Sequence, residues 1–109
     1  MRILGFAIRW PKLKQKQFTT FRFERKDRDW QVDEVVQIRI KPRSKGGGDI
    51  LGTAKIVDKV RRDGEAFITD DEANADGFQD KVEMCQWMLK NHTPEQLVRP
   101  LHKLTLEWL

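Results

Sequence analysis

Cysteine and long apolar runs are what this 109-residue sequence has least of. Its single cysteine, Cys85, has no partner for an internal disulfide, which favours a reducing compartment. The apolar runs are only a few residues long, too short to cross a bilayer. The first ten residues resemble a signal sequence only over their first eight, because Arg9 interrupts the run and no small-residue cleavage site follows. We therefore expect a cytoplasmic protein with no membrane partner, in which this opening segment is a strand.

Several familiar catalytic and metal-binding patterns are also missing. Residues 46–48 are three consecutive glycines, but their surroundings do not match a Walker A sequence, so a mobile hairpin tip is favoured over a phosphate loop. The two histidines, His92 and His102, lie near no nucleophile motif. With one cysteine, they also give no zinc-ligand spacing. The sequence predicts no metal site and no cofactor.

The sequence is rich in charged residues, and these are distributed unevenly along the chain. Apolar residues make up 39% and charged residues 35%, which indicates one globular domain over residues 1–109. Residues 1–62 carry 17 Lys or Arg against seven Asp or Glu, whereas residues 63–109 carry four against ten. A basic half beside an acidic half indicates a polyanionic partner on one face, although a solvated, solubilising surface explains the charge alone almost as well.

Residues 12–24 are the predicted working surface. The first half is polar and contains three cations, which is typical of a loop: Lys12, Lys14 and Lys16. The second half alternates, and period-two alternation predicts a half-buried strand. Phe21 and Phe23 would face a core, while Thr20 and Arg22 would face a cleft. A hydroxyl and a guanidinium there suit a phosphate, a base edge or a polar nucleoside.

The remaining pattern predicts an α+β fold. Strands are predicted at residues 2–9, 18–24, 34–41, 49–62, 66–68 and 104–108. Thr69 and Glu72 form a capping box that begins a short helix, and Gly77 ends it. A second helix is predicted to bury an apolar face, and a third begins at residues 93–94. That apolar face comprises Val82, Cys85, Met88 and Leu89. We expect a mainly antiparallel sheet of five to six strands, rolled into a small barrel with two to three helices beside it.

Three local patterns in this order resemble the ASCH domain, a member of the PUA-like β-barrel superfamily. Residues 17–22 read Gln-Phe-Thr-Thr-Phe-Arg, similar to a family pattern of roughly Lys-x-x-Thr-x-Arg. Residues 32–36 read Val-Asp-Glu-Val-Val, where the family usually shows Val-Gly-Asp before apolar strand residues. Residues 68–78 resemble the family's threonine-capped helix that ends in an acidic residue, Gly and Phe. The resemblance covers nearly the whole chain.

The resemblance implies that the protein handles RNA or nucleosides. Members of the family are proposed to bind RNA in the cleft between the barrel and the helices. Some relatives are amidohydrolases that deacylate modified cytidines with a lysine, a threonine nucleophile and a glutamate, and others are described as ribonucleases. The glutamate position falls on Asp76, which is one methylene shorter.

The lysine position of that triad departs from the family. If Arg22 anchors the pattern, the threonine is Thr20 and the lysine position holds Gln17. If Lys16 anchors it, the threonine is Thr19 and the arginine lies one residue too far along. A β-bulge could reconcile the two registers. The Arg22 register is preferred because it leaves both phenylalanines facing the core.

The chemistry of the threonine then favours binding over hydrolysis. A threonine hydroxyl is a weak nucleophile until an adjacent base takes its proton. Gln17 cannot act as that base, and Lys16 can only if it is desolvated enough to be neutral. Polar and cationic neighbours in the sequence predict that Lys16 is solvated and charged. If the protein is a hydrolase, the predicted catalytic residues are Lys16, Thr20 and Asp76.

The first hypothesis is therefore a nucleic-acid-binding module that prefers RNA, with phosphate contacts from the basic residues and base or sugar contacts from the strand. Trp10 or Trp30 could offer a stacking face, although core packing is the commoner role for either. The predicted binding residues are Lys12, Lys14, Lys16, Gln17, Thr20, Arg22, Arg25, Lys26, Arg28, Arg43 and Lys45. The alternatives are a small amidohydrolase acting on an acylated nucleoside such as N4-acetylcytidine, and a protein-interaction module whose acidic helical half docks a partner.

Overall fold

A curled sheet of five strands organises the molecule. The computed structural model describes residues 1–25, 27–42, 44–62, 68–97 and 99–109. Its elements are β1 (Arg2–Phe6), a 3-10 helix (Pro11–Lys14), β2 (Gln17–Phe23), β3 (Val35–Ile40), β4 (Asp49–Arg62), α1 (Asp70–Asp76), α2 (Lys81–Asn91), α3 (Pro94–Leu97) and β5 (Leu101–Trp108). The strand order is β1-β3-β4-β5-β2, with β1 parallel to β3 and every other pair antiparallel. The predicted α+β class and mainly antiparallel sheet are confirmed.

The sheet curls into a half-barrel because β4 is long and irregular. The pairing register shifts between Ile38 and Arg39 on the β3 side, and between Ile56 and Asp58 on the β5 side. Such irregularities bend and twist a strand, so the two edge strands, β1 and β2, come to face each other. Arg22 on β2 bridges this opening by donating from Nη2 to the main-chain oxygen of Gly5 on β1, at 2.8 Å. The opening between β1 and β2 is called the seam below.

Two apolar clusters hold the fold together. The larger fills the half-barrel and comprises Leu4, Phe6, Leu13, Phe18, Trp30, Val36, Ile38, Ile40, Ala54, Ile56, Leu104 and Leu106. The smaller lies under the helices and comprises Ile68, Ala73, Phe78, Met84, Met88 and Leu101, with Trp10, Phe21, Phe23 and Trp87 packed against it. Phe21 and Phe23 therefore pack in the helix cluster, Phe18 packs in the half-barrel cluster, and Thr20 is buried.

The helix ends follow the predicted chemistry. The Thr69 hydroxyl accepts a hydrogen bond from the Glu72 main-chain N–H at 3.1 Å, and the Thr69 N–H donates to the Glu72 carboxylate at 3.2 Å. Gly77 ends α1 in the left-handed region, at a φ of 111°. The same reciprocal box, made by Thr93 and Gln96, begins α3. Helix α1 is thereby fixed at both ends, and its last residue, Asp76, is buried.

Several element predictions need correction. Ile68 belongs to no strand and packs in the helix cluster instead, while residues 63–67, which include the predicted hairpin turn, lie outside the described residues. β1 ends at Phe6 instead of residue 9, and β5 begins at Leu101 instead of residue 104. His102 therefore lies inside the last strand and not before it.

The buried face predicted for α2 is also wrong in part. Val82 and Leu89 are 58% and 57% exposed, and Met84 and Met88 are the buried residues of that helix. Met84 and Met88 are buried because they pack in the helix cluster with the aromatic side chains of Trp10, Phe78 and Trp87.

Candidate functional site

A cleft lies at the seam, where β1, β2, the 3-10 helix and the end of α1 meet. Its inner lobe has a volume of about 260 Å³ and its outer lobe about 700 Å³. Four residues line both lobes and so mark their junction: Gly5, Phe6, Ala7 and Arg22. The structure thus brings Arg22 and Asp76 to one concavity, together with Thr20.

A buried ion pair forms the polar wall of the inner lobe. The ammonium of Lys12 donates to the Asp76 carboxylate and to the main-chain oxygen of Thr19, the latter at 2.8 Å. The two side chains are only 4% and 9% exposed. Lys12 reaches this position because the 3-10 helix turns the chain between β1 and β2 and packs it over the seam.

Burial moves both groups of this pair toward their neutral forms. It lowers the pKa of Lys12, against the attraction of Asp76, and the nearby guanidinium of Arg22 lowers it further. Burial also raises the pKa of Asp76, against the attraction of Lys12 and Arg22. Removing two charges from water disfavours each charged form, so the ion pair and the neutral pair are closer in free energy than in solvent. A neutral Lys12 could accept a proton in the inner lobe.

Two contacts position Arg22 between the lobes. Besides its hydrogen bond to Gly5, its guanidinium lies 4.8 Å from the centre of the Phe6 ring. Burial lowers its pKa to about 10, with the attraction of Asp76 opposing that shift, so it carries its charge at neutral pH. A guanidinium has five N–H donors, and the bond to Gly5 uses one of them.

Aromatic rings form the apolar wall of the inner lobe. Trp10 lies 5.2 Å from Phe78 and 6.5 Å from Trp87 between ring centres. His92 continues this group of rings, because its ring centre lies 6.0 Å from that of Trp87 and 5.0 Å from that of Phe23. A lobe with several ring faces and a few polar groups has the composition of a small-molecule pocket.

The outer lobe is basic. Arg22, Arg25 and Lys41 line it together with Trp30 and Ser44. The Arg25 guanidinium lies 5.5 Å from the centre of the Trp30 ring. Three cations and a hydroxyl around one hollow suit an anionic group.

Five of the other predicted binding residues line neither lobe. Lys16 and Gln17 are exposed, as are Arg28 and Lys45, and none of the four lines either lobe. Lys14 is exposed and lines a separate hollow beside Trp108. Lys26 and Arg43 lie outside the described residues. Of the two predicted stacking tryptophans, Trp10 is half-buried in the inner lobe and Trp30 is buried in the half-barrel core.

Sequence reasoning missed the part that Lys12 plays. Lys12 was predicted to contact phosphate from a loop, whereas it pairs with Asp76 inside the cleft. The available signal was its place one residue after Pro11 and one before Leu13, which is compatible with a short 3-10 turn that buries the leucine. Lys41, Trp87 and His92 also line the cleft, and no sequence pattern had indicated them.

Comparison with family models, curated proteins and solved structures found no significant match to this chain. Within the part of the chain that the structure describes, no helix is both long and apolar enough to cross a membrane.

Proposed function

We propose that this protein binds RNA or a nucleotide in the seam cleft, with a base in the inner lobe and a phosphate in the outer lobe. The observation that carries the proposal is the position of Arg22 at the junction of an aromatic lobe and a basic lobe. A nucleotide matches these two lobes, because the ribose separates its flat base from its anionic phosphate. The guanidinium at the junction would contact the sugar or the phosphate.

The inner lobe suits a base for two reasons. Trp10, Phe78 and Trp87 offer ring faces, and stacking on aromatic side chains is the usual way a protein holds an unpaired base. Thr20 and the Lys12–Asp76 pair offer donors and acceptors on the same lobe. These groups would read one edge of the base or the ribose hydroxyls.

The first test is the binding of a fluorescent single-stranded RNA oligonucleotide at several salt concentrations. Affinity should fall steeply as salt rises, because phosphate contacts release counterions. Removing two outer-lobe cations, with Arg25→Gln and Lys41→Gln, should weaken binding and reduce the slope of log affinity against log salt by about one per lost contact. Thr20→Val should weaken binding while leaving the slope unchanged.

Lys90→Gln is the matched control, because Lys90 is an exposed cation on α2 that lines neither lobe. It should bind RNA as the unchanged protein does. Absent binding at low salt, salt-independent binding, or an equal loss in the Lys90 variant would each contradict the proposal.

Hydrolysis of an acylated nucleoside is the second candidate, and one observation favours it. Lys12, the lysine whose pKa burial lowers, donates to the main-chain oxygen of Thr19 and lines the same lobe as Thr20. In its neutral form, Lys12 could take the Thr20 hydroxyl proton as the oxygen attacks the acyl carbon. The freed amine would leave with a proton, and water would then release the acid from the threonine ester.

Incubation with N4-acetylcytidine tests this candidate, with cytidine release followed by chromatography. Release should be lost in Thr20→Val and in Lys12→Met, and kept in Lys90→Gln. Release that survives Thr20→Val would remove Thr20 as the nucleophile, and no release from the unchanged protein would leave binding as the function.

A further inference from the structure

Glu24, Asp29 and His102 meet at the end of the half-barrel, outside the seam cleft. Glu24 directly follows β2, Asp29 lies in the connection to β3, and His102 is on β5. One ligand atom from each of the three lies within 4.8 Å of the others. Residues 24, 29 and 102 form no recognisable sequence motif, so only the fold brings them together.

The imidazole of His102 supplies an independent sign of a ligand. His102 is 8% exposed, and its Nδ1 atom is buried without a hydrogen-bond partner among the described residues. The nearest carboxylate oxygen, Oδ2 of Asp29, is 3.9 Å away, which is too long for a hydrogen bond. An unpaired buried nitrogen costs free energy, and a bound cation would remove that cost. A neutral imidazole can place a lone pair on Nδ1, and a metal ion is bound through such a lone pair.

We propose that these three side chains bind a first-row divalent transition-metal ion, through Nδ1 of His102 and one carboxylate oxygen each from Asp29 and Glu24. Two donors on one ion, each about 2.0–2.2 Å from it, lie at most about 4.4 Å apart. Nδ1 of His102 lies 3.9 Å from Oδ2 of Asp29, which is within that limit. Glu24 is exposed, so rotation of its side chain can bring a carboxylate oxygen to the ion as the third ligand. One nitrogen with two oxygens favours zinc, cobalt or manganese over calcium and magnesium, which take oxygen ligands.

Lys59 orients the second ligand. Its ammonium donates to Oδ2 of Asp29 at 2.6 Å and to the main-chain oxygen of Trp30 at 2.9 Å. Hydrogen bonds of this kind fix a carboxylate for an ion, as outer partners of metal ligands do. A bound ion would link the residue after β2, the connection between β2 and β3, and strand β5.

Titration with Co²⁺, followed by visible absorption, tests the site directly. The unchanged protein should develop the d–d bands of protein-bound cobalt, and Zn²⁺ should abolish them. Glu24→Gln should weaken cobalt binding by at least about tenfold. Glu24 is exposed, so this variant should fold normally.

Asp58→Asn is the matched control, because Asp58 is an exposed carboxylate on β4 outside the cluster. It should bind cobalt as the unchanged protein does. Cobalt bands that fail to appear at saturating Co²⁺, or equal affinities in Glu24→Gln and the unchanged protein, would overturn the proposal. RNA binding through the seam cleft would stand in either case.

Discussion

The buried Lys12–Asp76 pair determines the chemistry of the inner lobe. Both side chains are almost fully covered, so each charge depends on the other for compensation. The alternation of a strand pointed to Thr20 and Arg22, whereas Asp76 was implied only by the family resemblance. The partner of Asp76 could not be predicted in the same way, since 64 positions separate it from Lys12.

A double-mutant cycle tests the dependence of the pair. Lys12→Met or Asp76→Leu alone should cost about 3 kcal/mol of unfolding free energy, because each leaves one buried charge without its ion-pair partner. The double variant should recover most of that loss, since two apolar side chains replace the pair. Urea unfolding measures all four proteins, and simple addition of the two single losses would contradict the account.

Glu34 accounts for part of the folded protein's loss of stability in acid. Arg2 donates to both carboxylate oxygens of Glu34, at 2.6 and 2.5 Å, and these hydrogen bonds lower its pKa below the ordinary value of 4.5, with burial opposing them. The unfolded chain therefore takes up this proton at higher pH than the folded protein does. The stabilisation is present above about pH 4.5 and is lost as the pH falls through the folded-state pKa.

Replacing Glu34 with Gln should flatten this part of the stability profile. Urea unfolding at a series of pH values should show a smaller fall in unfolding free energy below about pH 4.5 than in the unchanged protein. Asp58→Asn, which removes an exposed carboxylate, serves as the comparison. A Glu34→Gln protein with an unchanged acid slope would show that the Arg2 contact does not stabilise the carboxylate.

At the scale of elements, the end of α1 sets the position of both walls of the inner lobe. Gly77 has a φ of 111°, and a Cβ atom there would lie 2.9 Å from Cε3 of Trp10. The same residue therefore ends the helix after Asp76 and leaves room for a cleft-lining ring. Its role as a helix end was predictable from the sequence, whereas its contact with Trp10 depends on how the 3-10 helix crosses the seam.

Gly77→Ala should lower the free energy of unfolding by more than the strain of placing an alanine in the left-handed region. Gly46→Ala is the control, because Gly46 has a φ of 87° with nothing within 4 Å of a Cβ. The control should lose about 1–2 kcal/mol from strain. Gly77→Ala should lose more and should also change the tryptophan fluorescence. Equal losses with unchanged fluorescence would show that the Trp10 contact is not tight.

The strands were predicted more accurately than the packing of the helices. β3 and β4 follow clean apolar patterns, and β3 buries Val36, Ile38 and Ile40 as the alternation requires. For α2, helical spacing allowed more than one apolar face, and the buried one is covered in part by Trp10, which is distant from α2 in sequence. The parallel pairing of β1 with β3 is likewise a product of tertiary packing.

For the whole molecule, the charge division in the sequence has a structural counterpart. The basic first half builds the 3-10 helix and strands β1 to β4, and the acidic second half builds the three described helices and β5. Lys12 and Asp76 join the two halves at the cleft. Composition therefore predicted a basic surface, but the closure of the sheet was needed to place a concave site beside it.

An NMR titration of the ¹⁵N-labelled protein with cytidine 5′-monophosphate tests the central claim most directly. If the nucleotide occupies both lobes, the largest amide shifts should fall at Gly5, Thr20, Arg22 and Gly77, around the seam. Shifts confined to the exposed lysines at positions 14, 16 and 45, or none at saturating nucleotide, would contradict it.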